Sequence, residues 1–401
     1  MPLVEFAWLL LTVSLIVGVW LRRKHYAVFQ VTHYAVYVFY AAGLVHAWSH
    51  WYYTAGGLLL LAVDKLFRTV DAARVVRVLS LDAGHEMTRV VLDAAFLRGR
   101  SFFAGQYAWV NIPSIATGEW HPFTVASAPA AALNVKGVAR ANAMPPHVAF
   151  YVKENHAGSW TSRLARLAES QQSFADLEIS VDGPYGRAPE FDDADTVVMF
   201  AGGIGVTPYL SMLNELVARA TLPARGGLSC PNLRRALLVW AVRDPAIFLV
   251  MAEQLEPLLQ SKLVTLSLFV TRAERNPVPP AFKPLAAALT DAHAADHSNS
   301  HRVYEQCLSI AQNGRPPVEK IIGGLVKDAA AFAASDAAAP SGLNETAGLS
   351  LNVLHSDEQG SSRPSSGSVV AMVCGPAELS HEVSEAAFKH SIEFHSEVFA
   401  F

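Results

Sequence analysis

The chain has 401 residues, 52 % of them hydrophobic and only 16 % charged, with a formal net charge of −4. That length holds two or three domains, and the apolar excess excludes an ordinary soluble protein throughout. So mild a charge favours no particular partner and nucleic acid is not expected; the three cysteines, Cys230, Cys307 and Cys374, stand too far apart for a disulfide or metal framework and suit a reducing cytosol.

The apolar excess sits at the N-terminus, where residues 4–21, 31–48 and 51–63 read as membrane-embedded. A span takes about 20 apolar residues, so the first two qualify and the third is short. The first lacks a basic start and a small-residue cleavage site, and "RRKHY" after it reads as a stop-transfer flank rather than the end of a signal peptide. Arg22, Arg23 and Lys24 follow the first segment and Lys65, Arg68, Arg74 and Arg77 follow the third, so both ends are expected on the cytosolic side, as is the rest of the chain. The second segment, "THYAVYVFYAAGLVH", carries His33 and His46. Imidazole in a bilayer is costly, and a haem-iron or copper ligand competes with a packing histidine bonded to neighbouring helices. On one continuous helix the two rings stand about 20 Å apart along the axis and about 140° around it, so they do not share one metal; as ligands they would serve two cofactors, against the packing alternative, and the partner stays open here.

Beyond residue 72 short alternating runs follow: "RVVRVLSL", "TRVVLDAAF", "QYAWVNIP", "PFTVAS", "HVAFYVK" and "LEISVDGPYG". Strands at this spacing with Gly and Pro turns predict a small antiparallel β-barrel. From about residue 196 the order is strand, glycine loop, helix, strand, through "TVVMFAGGIGVTPYLSMLNELV", "ALLVWAVRD", "LVTLSLFVTR" and "VVAMVCGPAELSHEVSEA". That alternation predicts a parallel α/β sheet with a nucleotide at its strand ends. Gly202, Gly203 and Gly205 let the backbone turn tightly and approach a pyrophosphate at the next helix's N-terminus, with Thr207 expected as N-cap and Pro208 as first helical residue. The expected domains are residues 1–70, transmembrane helices; 71–190, the barrel; and 191–401, the α/β domain. Tracts 275–311 and 327–368, rich in Ala, Ser, Pro and His, read as solvated or disordered inserts, and the "NET" sequon at Asn344 falls on the cytosolic side.

"HPFTVAS" at 121–127, "GGIGVTP" at 202–208, "NGRP" at 313–316, "VCGP" at 373–376 and the terminal Phe401 together resemble the ferric reductase and NADPH oxidase flavocytochrome family, whose cytosolic half is similar to ferredoxin-NADP reductase. The histidine-bearing segment resembles that family's fifth transmembrane helix and "DKLFR" at 64–68 the motif that leaves its sixth. The resemblance implies FAD in the barrel, NADPH in the α/β domain and two b-type haems in the membrane.

Carried over by position, it makes His33 and His46 axial ligands of the inner and outer haem. His121, Pro122, Phe123, Thr124 and Ser127 would line FAD, with Lys153 and the "GSWT" loop, Trp160 and Thr161 included, at its pyrophosphate; the "GQY" turn at 105–107 and "DGPYG" at 182–186 lie beside it. Gly202, Gly203, Gly205, Thr207, Pro208, Gly375 and Pro376 would bind NADPH, with Arg243 and Arg272 holding its 2′-phosphate. Cys374 would stand beside the nicotinamide, Phe401 would stack on the flavin and Glu397 would shape that pocket.

Family members have about six transmembrane helices and draw the opposing haem ligands from the third, whereas this chain starts at what resembles the fourth. The missing ligands are therefore expected from missing N-terminal helices or a second subunit. The activity expected is electron transfer from cytosolic NADPH across a membrane, the plasma membrane by preference, to ferric chelates. Superoxide production from oxygen is the nearest rival, and a haem-free, membrane-tethered flavin reductase or non-catalytic subunit the next.

Overall fold

The computed structural model describes residues 2–20, 26–72, 75–97, 102–129, 147–170, 174, 177–187, 194–220, 233–272, 292–338 and 368–397. Two compact units divide it, Met1–Ala73 and Arg74–Phe401.

The first unit is helical: Pro2–Trp20 (α1), Tyr26–His33 (α2), Ala35–His46 (α3) and His50–Ala72 (α4). α1 packs on α2 and α3, with Trp8 edge-on to Phe39 at 5.1 Å between ring centroids. Thr12, Thr32 and Thr54 each donate to the carbonyl four residues back, at 2.9, 2.9 and 2.7 Å, so these hydroxyls are satisfied without water. The segment expected as one helix through His33 and His46 is interrupted at Tyr34, whose carbonyl accepts the Tyr37 amide at 3.0 Å in a tightened turn. The ideal angular offset between the histidines therefore does not apply. α4 continues through residues 51–63 and takes "DKLFR" into its own body. Among the described residues no helix is long and apolar enough to cross a membrane.

The second unit holds three sheets. Val75–Val76 (β1), Tyr107–Asn111 (β4), His121–Thr124 (β5) and Ile179–Tyr185 (β7) form one antiparallel sheet in the order β1-β7-β4-β5. Val78–Gly84 (β2), Met87–Asp93 (β3) and His147–Lys153 (β6) form another. Where one barrel is expected, two sheets share one core. Val90, Val110, Val148, Phe150, Ile179 and Val181 fill it, capped by Trp160 and Leu164 of Trp160–Ser170 (α5).

The third sheet is parallel and runs β11-β10-β9-β8-β12-β13, built of Thr196–Gly202 (β8), Arg235–Val242 (β9), Val264–Val270 (β10), Gln312–Asn313 (β11), Val369–Cys374 (β12) and Glu393–Glu397 (β13). β12 is buried at every residue, as a central parallel strand covered on both faces must be. One face is covered by Thr207–Ala220 (α6), Ala246–Val250 (α7), Ala252–Gln260 (α8) and Ala292–Ile310 (α9), the other by Val318–Ala338 (α10) and Ala377–Lys389 (α11). The core on the first face also takes in Met87, Val91, Ala126, Ala149 and Tyr151 from the antiparallel half, so the two halves share apolar contact.

Part of each tract expected as disordered insert is helix. α9 docks on α7 and α8 through Val303, Tyr304 and Cys307, and Asn299 and Arg302 donate to the Glu256 carboxylate at 2.7 and 3.1 Å. α10 carries the chain on through residue 338, with Leu325 and Ala329 buried. Cys230, Asn344, the basic cluster at 22–24 and residues 275–291 and 339–367 of the two tracts lie outside the described residues.

Burial pushes the Cys307 thiol up to about 12, so it stays protonated at neutral pH. Iodoacetamide at pH 8 should leave Cys307 unmodified in the folded protein and alkylate it after denaturation, read by peptide mass spectrometry. Rapid labelling under native conditions would show that α9 is not docked.

Candidate functional site

The sheet order reverses between β8 and β12. Successive strands run outward from β8 through β9, β10 and β11 on one side, and through β12 and β13 on the other. In open parallel sheets that reversal leaves a crevice at the carboxyl ends of the strands, where a nucleotide fits. Pairing sets Ala201 beside Cys374 there, so the loops after β8 and β12 meet. They meet backbone to backbone: a Cβ on Gly205 would come within 2.4 Å of the Cys374 carbonyl oxygen, and one on Gly202 within 2.4 Å of Pro376 Cδ. Gly203 is different, with φ +56° and nothing within 4 Å of its Cβ position, so its backbone borders open space. The buried Trp240 indole N–H donates to its carbonyl at 2.8 Å and fixes the turn.

The helix after this turn starts differently from expectation. Gly203–Val206 forms a 3-10 turn that runs into α6, so helical amides begin a turn early. Thr207 is already helical (φ −53°, ψ −47°) and donates its hydroxyl to the Ile204 carbonyl at 2.7 Å, so it caps nothing, and Pro208 is the second residue of α6. The amides of the 3-10 turn, rather than a threonine cap, stand at the positive end of the helix.

Cys374 is 1 % exposed, while Gly375 and Pro376 beside it are open to solvent. Its register partner in β13 is Glu397, whose side chain lies outside the described residues together with Phe401. Arg243 and Arg272 are both exposed just past the ends of β9 and β10, at the carboxyl edge of the sheet. The Thr271 amide, donating to the Val242 carbonyl at 2.8 Å, ties those strand ends together.

A second cluster lies on the antiparallel sheets. β5 pairs with β4 so that Thr124 faces Tyr107 and His121 faces Val110. His121 and Phe123 stand 4.5 and 5.8 Å from Trp160 between ring centroids, which gives an aromatic cradle with Pro122 and buried Thr124 on its strand. The buried Trp160 indole N–H has no hydrogen-bond acceptor among the described residues. A buried donor of this kind calls for a polar partner, and aromatic faces beside it suit a flat heteroaromatic ring such as a flavin. Burial holds the His121 imidazole below its ordinary range, with Arg163 adding to the effect and Glu119 opposing it.

The loop entering α5 is built by its own hydroxyls. Ser159 Oγ accepts the Ser162 amide at 3.1 Å and is the cap that sequence reading passed over; Thr161 Oγ1 accepts the Asn155 amide at 3.0 Å. Gly158 takes φ +85° in the turn before it. Lys153 ends β6 exposed. Gln106 organises the turn before β4: its side chain accepts the Phe103 amide at 2.8 Å and donates to the Gly186 carbonyl at 2.7 Å. Ser127 is directed inward, its hydroxyl accepting the Ala149 amide at 2.8 Å and its carbonyl accepting Ser211 Oγ at 2.9 Å. The structure thus brings together His121, Phe123 and Trp160 in one cluster and Gly202, Gly203, Gly205, Cys374, Gly375 and Pro376 in another. His33 and His46 lie exposed in the helical unit.

The two regions that hold these clusters each match a known family. Residues 97–189 match the model of a FAD-binding domain and residues 194–388 that of the ferric reductase NAD binding domain. Ferric reduction oxidase 8, mitochondrial, of Arabidopsis thaliana is 28 % identical over 230 residues, covering 56 % of this chain and 28 % of the relative. A superoxide-generating NADPH oxidase heavy chain of Dictyostelium discoideum is 26 % identical over 244 residues, covering 56 % of this chain and 43 % of the relative. The chain thus spans less than half the length of these relatives. Among solved structures, Amycolatopsis cytochrome P450 reductase GcoB superposes with a TM-score of 0.44 at 17 % identity, covering 81 % of this chain and 69 % of that one.

Two outcomes follow from the geometry. Gly205→Ala forces a Cβ into the Cys374 carbonyl and should lower stability by about 1–3 kcal/mol in urea unfolding, as overpacking does. An unchanged midpoint would mean that the loops do not touch. His121, harder to protonate folded than unfolded, makes folding less favourable as pH falls below about 6.5. His121→Gln should therefore lose less thermal stability than the parent between pH 7.5 and pH 5.5.

Proposed function

With a FAD-binding domain and a ferric reductase NAD binding domain in one chain, homologous to ferric reduction oxidases and NADPH oxidase heavy chains, we propose that this protein draws electrons from NADPH through FAD and passes them across a membrane to ferric iron in a chelate. The observation that carries the reading is the glycine crevice at the β8–β12 reversal, where Gly203 and the 3-10 turn amides border open space. Gly202, Gly205, Gly375 and Pro376 would bring backbone within reach of the NADPH pyrophosphate, and Thr207 and Pro208 would hold the helix that faces it. Arg243 and Arg272 would take the 2′-phosphate as bidentate guanidinium partners. Cys374, Glu397 and Phe401 would border the nicotinamide.

The aromatic cradle would hold FAD. His121, Pro122, Phe123 and Thr124 would line its ring, with the Trp160 indole N–H finding its missing acceptor there. Lys153 and the amides around Thr161 would meet its phosphates, and Ser127 would steady the strand from below. When bound, FAD would supply the conversion of a two-electron hydride into single electrons, and b-type haem would be the carrier onward. A neutral His121 would place no extra positive charge against the ring.

Membrane placement rests on the helical unit. Leu9, Leu15, Val19 and Trp20 of α1 are 60, 63, 81 and 78 % exposed, and Leu59 and Leu60 of α4 are 66 and 72 % exposed. Apolar side chains presented in such number, with threonine hydroxyls bonded back to their own helices, fit lipid better than water. His33 and His46 would each offer one imidazole to a haem, the remaining ligand of each coming from outside these residues. The plasma membrane is the proposed location, with the NADPH and FAD sites in the cytosol.

Intact cells expressing the protein should release Fe(II) from an external ferric chelate, captured by ferrozine, in excess of superoxide measured as dismutase-sensitive cytochrome c reduction. Superoxide without chelate reduction would overturn the choice of acceptor. Protein solubilised from its native membrane, together with whatever supplies the second haem ligands, should show a Soret band that weakens in His33→Ala and in His46→Ala; a flavin spectrum with no Soret band in that preparation would favour the haem-free flavin reductase.

A further inference from the structure

Glu253 joins three strands of the antiparallel half to a helix of the parallel half. It is the second residue of α8, where a carboxylate also favours the positive end of the helix. One of its oxygens accepts from Arg89 Nη2 of β3, and the other faces His147 Nε2 of β6 at 3.6 Å. Arg89 also reaches Asp82 of β2 through Nη1 at 3.4 Å and stands in register with Tyr151 of β6. Arg89 holds the Glu253 carboxyl well below the usual carboxylate range, to about 2, and burial keeps the nearby Tyr151 phenol protonated beyond its ordinary range. The link is therefore charged throughout the physiological range.

A second contact between the halves lies on α6. Ser211 Oγ donates to the Ser127 carbonyl at 2.9 Å, and Met212 fills the space over Gly105, where a Cβ would come within 2.3 Å of the Met212 Cε. Adhesion between the halves is already supplied by their shared apolar core. A partly buried ion pair adds little stability beyond that, because desolvation offsets its attraction. What two separate polar contacts add is direction, since a single contact leaves two bodies free to pivot.

The aromatic cradle sits on one half and the glycine crevice on the other, so their mutual orientation sets the distance between the two rings. Hydride passage needs the reacting atoms about 3–3.5 Å apart in line. We infer that Arg89 and Glu253, with His147 alongside, are positioning residues that fix the parallel half on the antiparallel half for hydride passage from NADPH to FAD, a role that rests on the function proposed above.

The test uses the full chain loaded with FAD, with Arg89→Ala, Glu253→Ala, the double variant, and Glu253→Asp as the conservative change. The limiting rate of flavin bleaching at saturating NADPH should fall roughly tenfold in each single alanine variant. The double variant should lose no more than either single one, because the two side chains make one link. NADPH affinity and FAD content should stay within about twofold, as each nucleotide keeps its own half. Glu253→Asp should recover part of the rate. Deuterium uptake should rise in peptides of β3, β6 and α8. An unchanged limiting rate, or losses that multiply in the double variant, would overturn the inference. Should the parent protein fail to bleach with NADPH, the proposed function falls and exchange alone decides the link: faster uptake in the variants supports it, and unchanged uptake overturns it. If the alanine variants do not fold, Glu253→Gln carries the same comparison.

Discussion

The parallel half depends on three positions that have no side chain. Where β8 and β12 end, Gly202, Gly205 and Gly375 let two loops touch backbone to backbone, the Gly375 Cβ position lying 3.0 Å from the Gly202 nitrogen. Any Cβ there would drive the loops apart, and with them the carboxyl ends of two strands that are buried along most of their length. The same closeness makes the crevice: with both loops drawn together below, the backbone of Gly203 is left facing outward beside the start of α6. The sheet's reversal supplies the place, and the glycines keep it open at its rim and closed at its floor.

Polar groups in the two clusters divide into those already satisfied and those not. Gln106, Ser127, Ser159 and Thr161 spend their hydrogen bonds on the protein itself, and they fix where the cradle stands. Trp160, buried at 5 % exposure, leaves its indole N–H without an acceptor among the described residues. An unmade bond of this kind costs about 1–3 kcal/mol, which a polar ligand in the cradle would recover. That contrast separates scaffold from ligand surface more sharply than residue type does, since serine and threonine hydroxyls are as suited to phosphate as to a helix cap.

Much of this was legible in the sequence, and the reasons for the rest are physical. Short runs of apolar and β-branched residues between Gly and Pro turns marked β2, β3, β4 and β6, and unbroken apolar runs marked β8, β9 and β12, because burial writes itself into local pattern. The glycine loop and "VCGP" were visible as motifs, although their direct contact was not. α9 escaped notice because His, Ala and Ser dominate its first turns, while the spacing of Val303, Tyr304 and Cys307 carried the helical signal. Thr207 misled because a 3-10 turn begins the helix before the residue that looks like a cap. Arg89 and Glu253 lie 164 residues apart, and no local pattern links two charges at such a distance.

The helical unit obeys a different rule from the rest. In the second unit, large apolar side chains such as Trp240, Phe150 and Phe200 are wholly buried, and the structure closes on itself. In the first, Ala7, Ser14 and Ala42 are the only described residues buried, while Trp20, Val45 and Tyr53 stand 78, 79 and 86 % exposed. At roughly 25 cal/mol for each Å² of apolar surface, covering these side chains would be favourable. Under the membrane placement proposed above, lipid or other helices would supply that cover, and imidazoles on the same surface would gain a low-dielectric setting with it. Ligand and environment would then arrive together, which ties the role proposed for His33 and His46 to the apolar face that carries them.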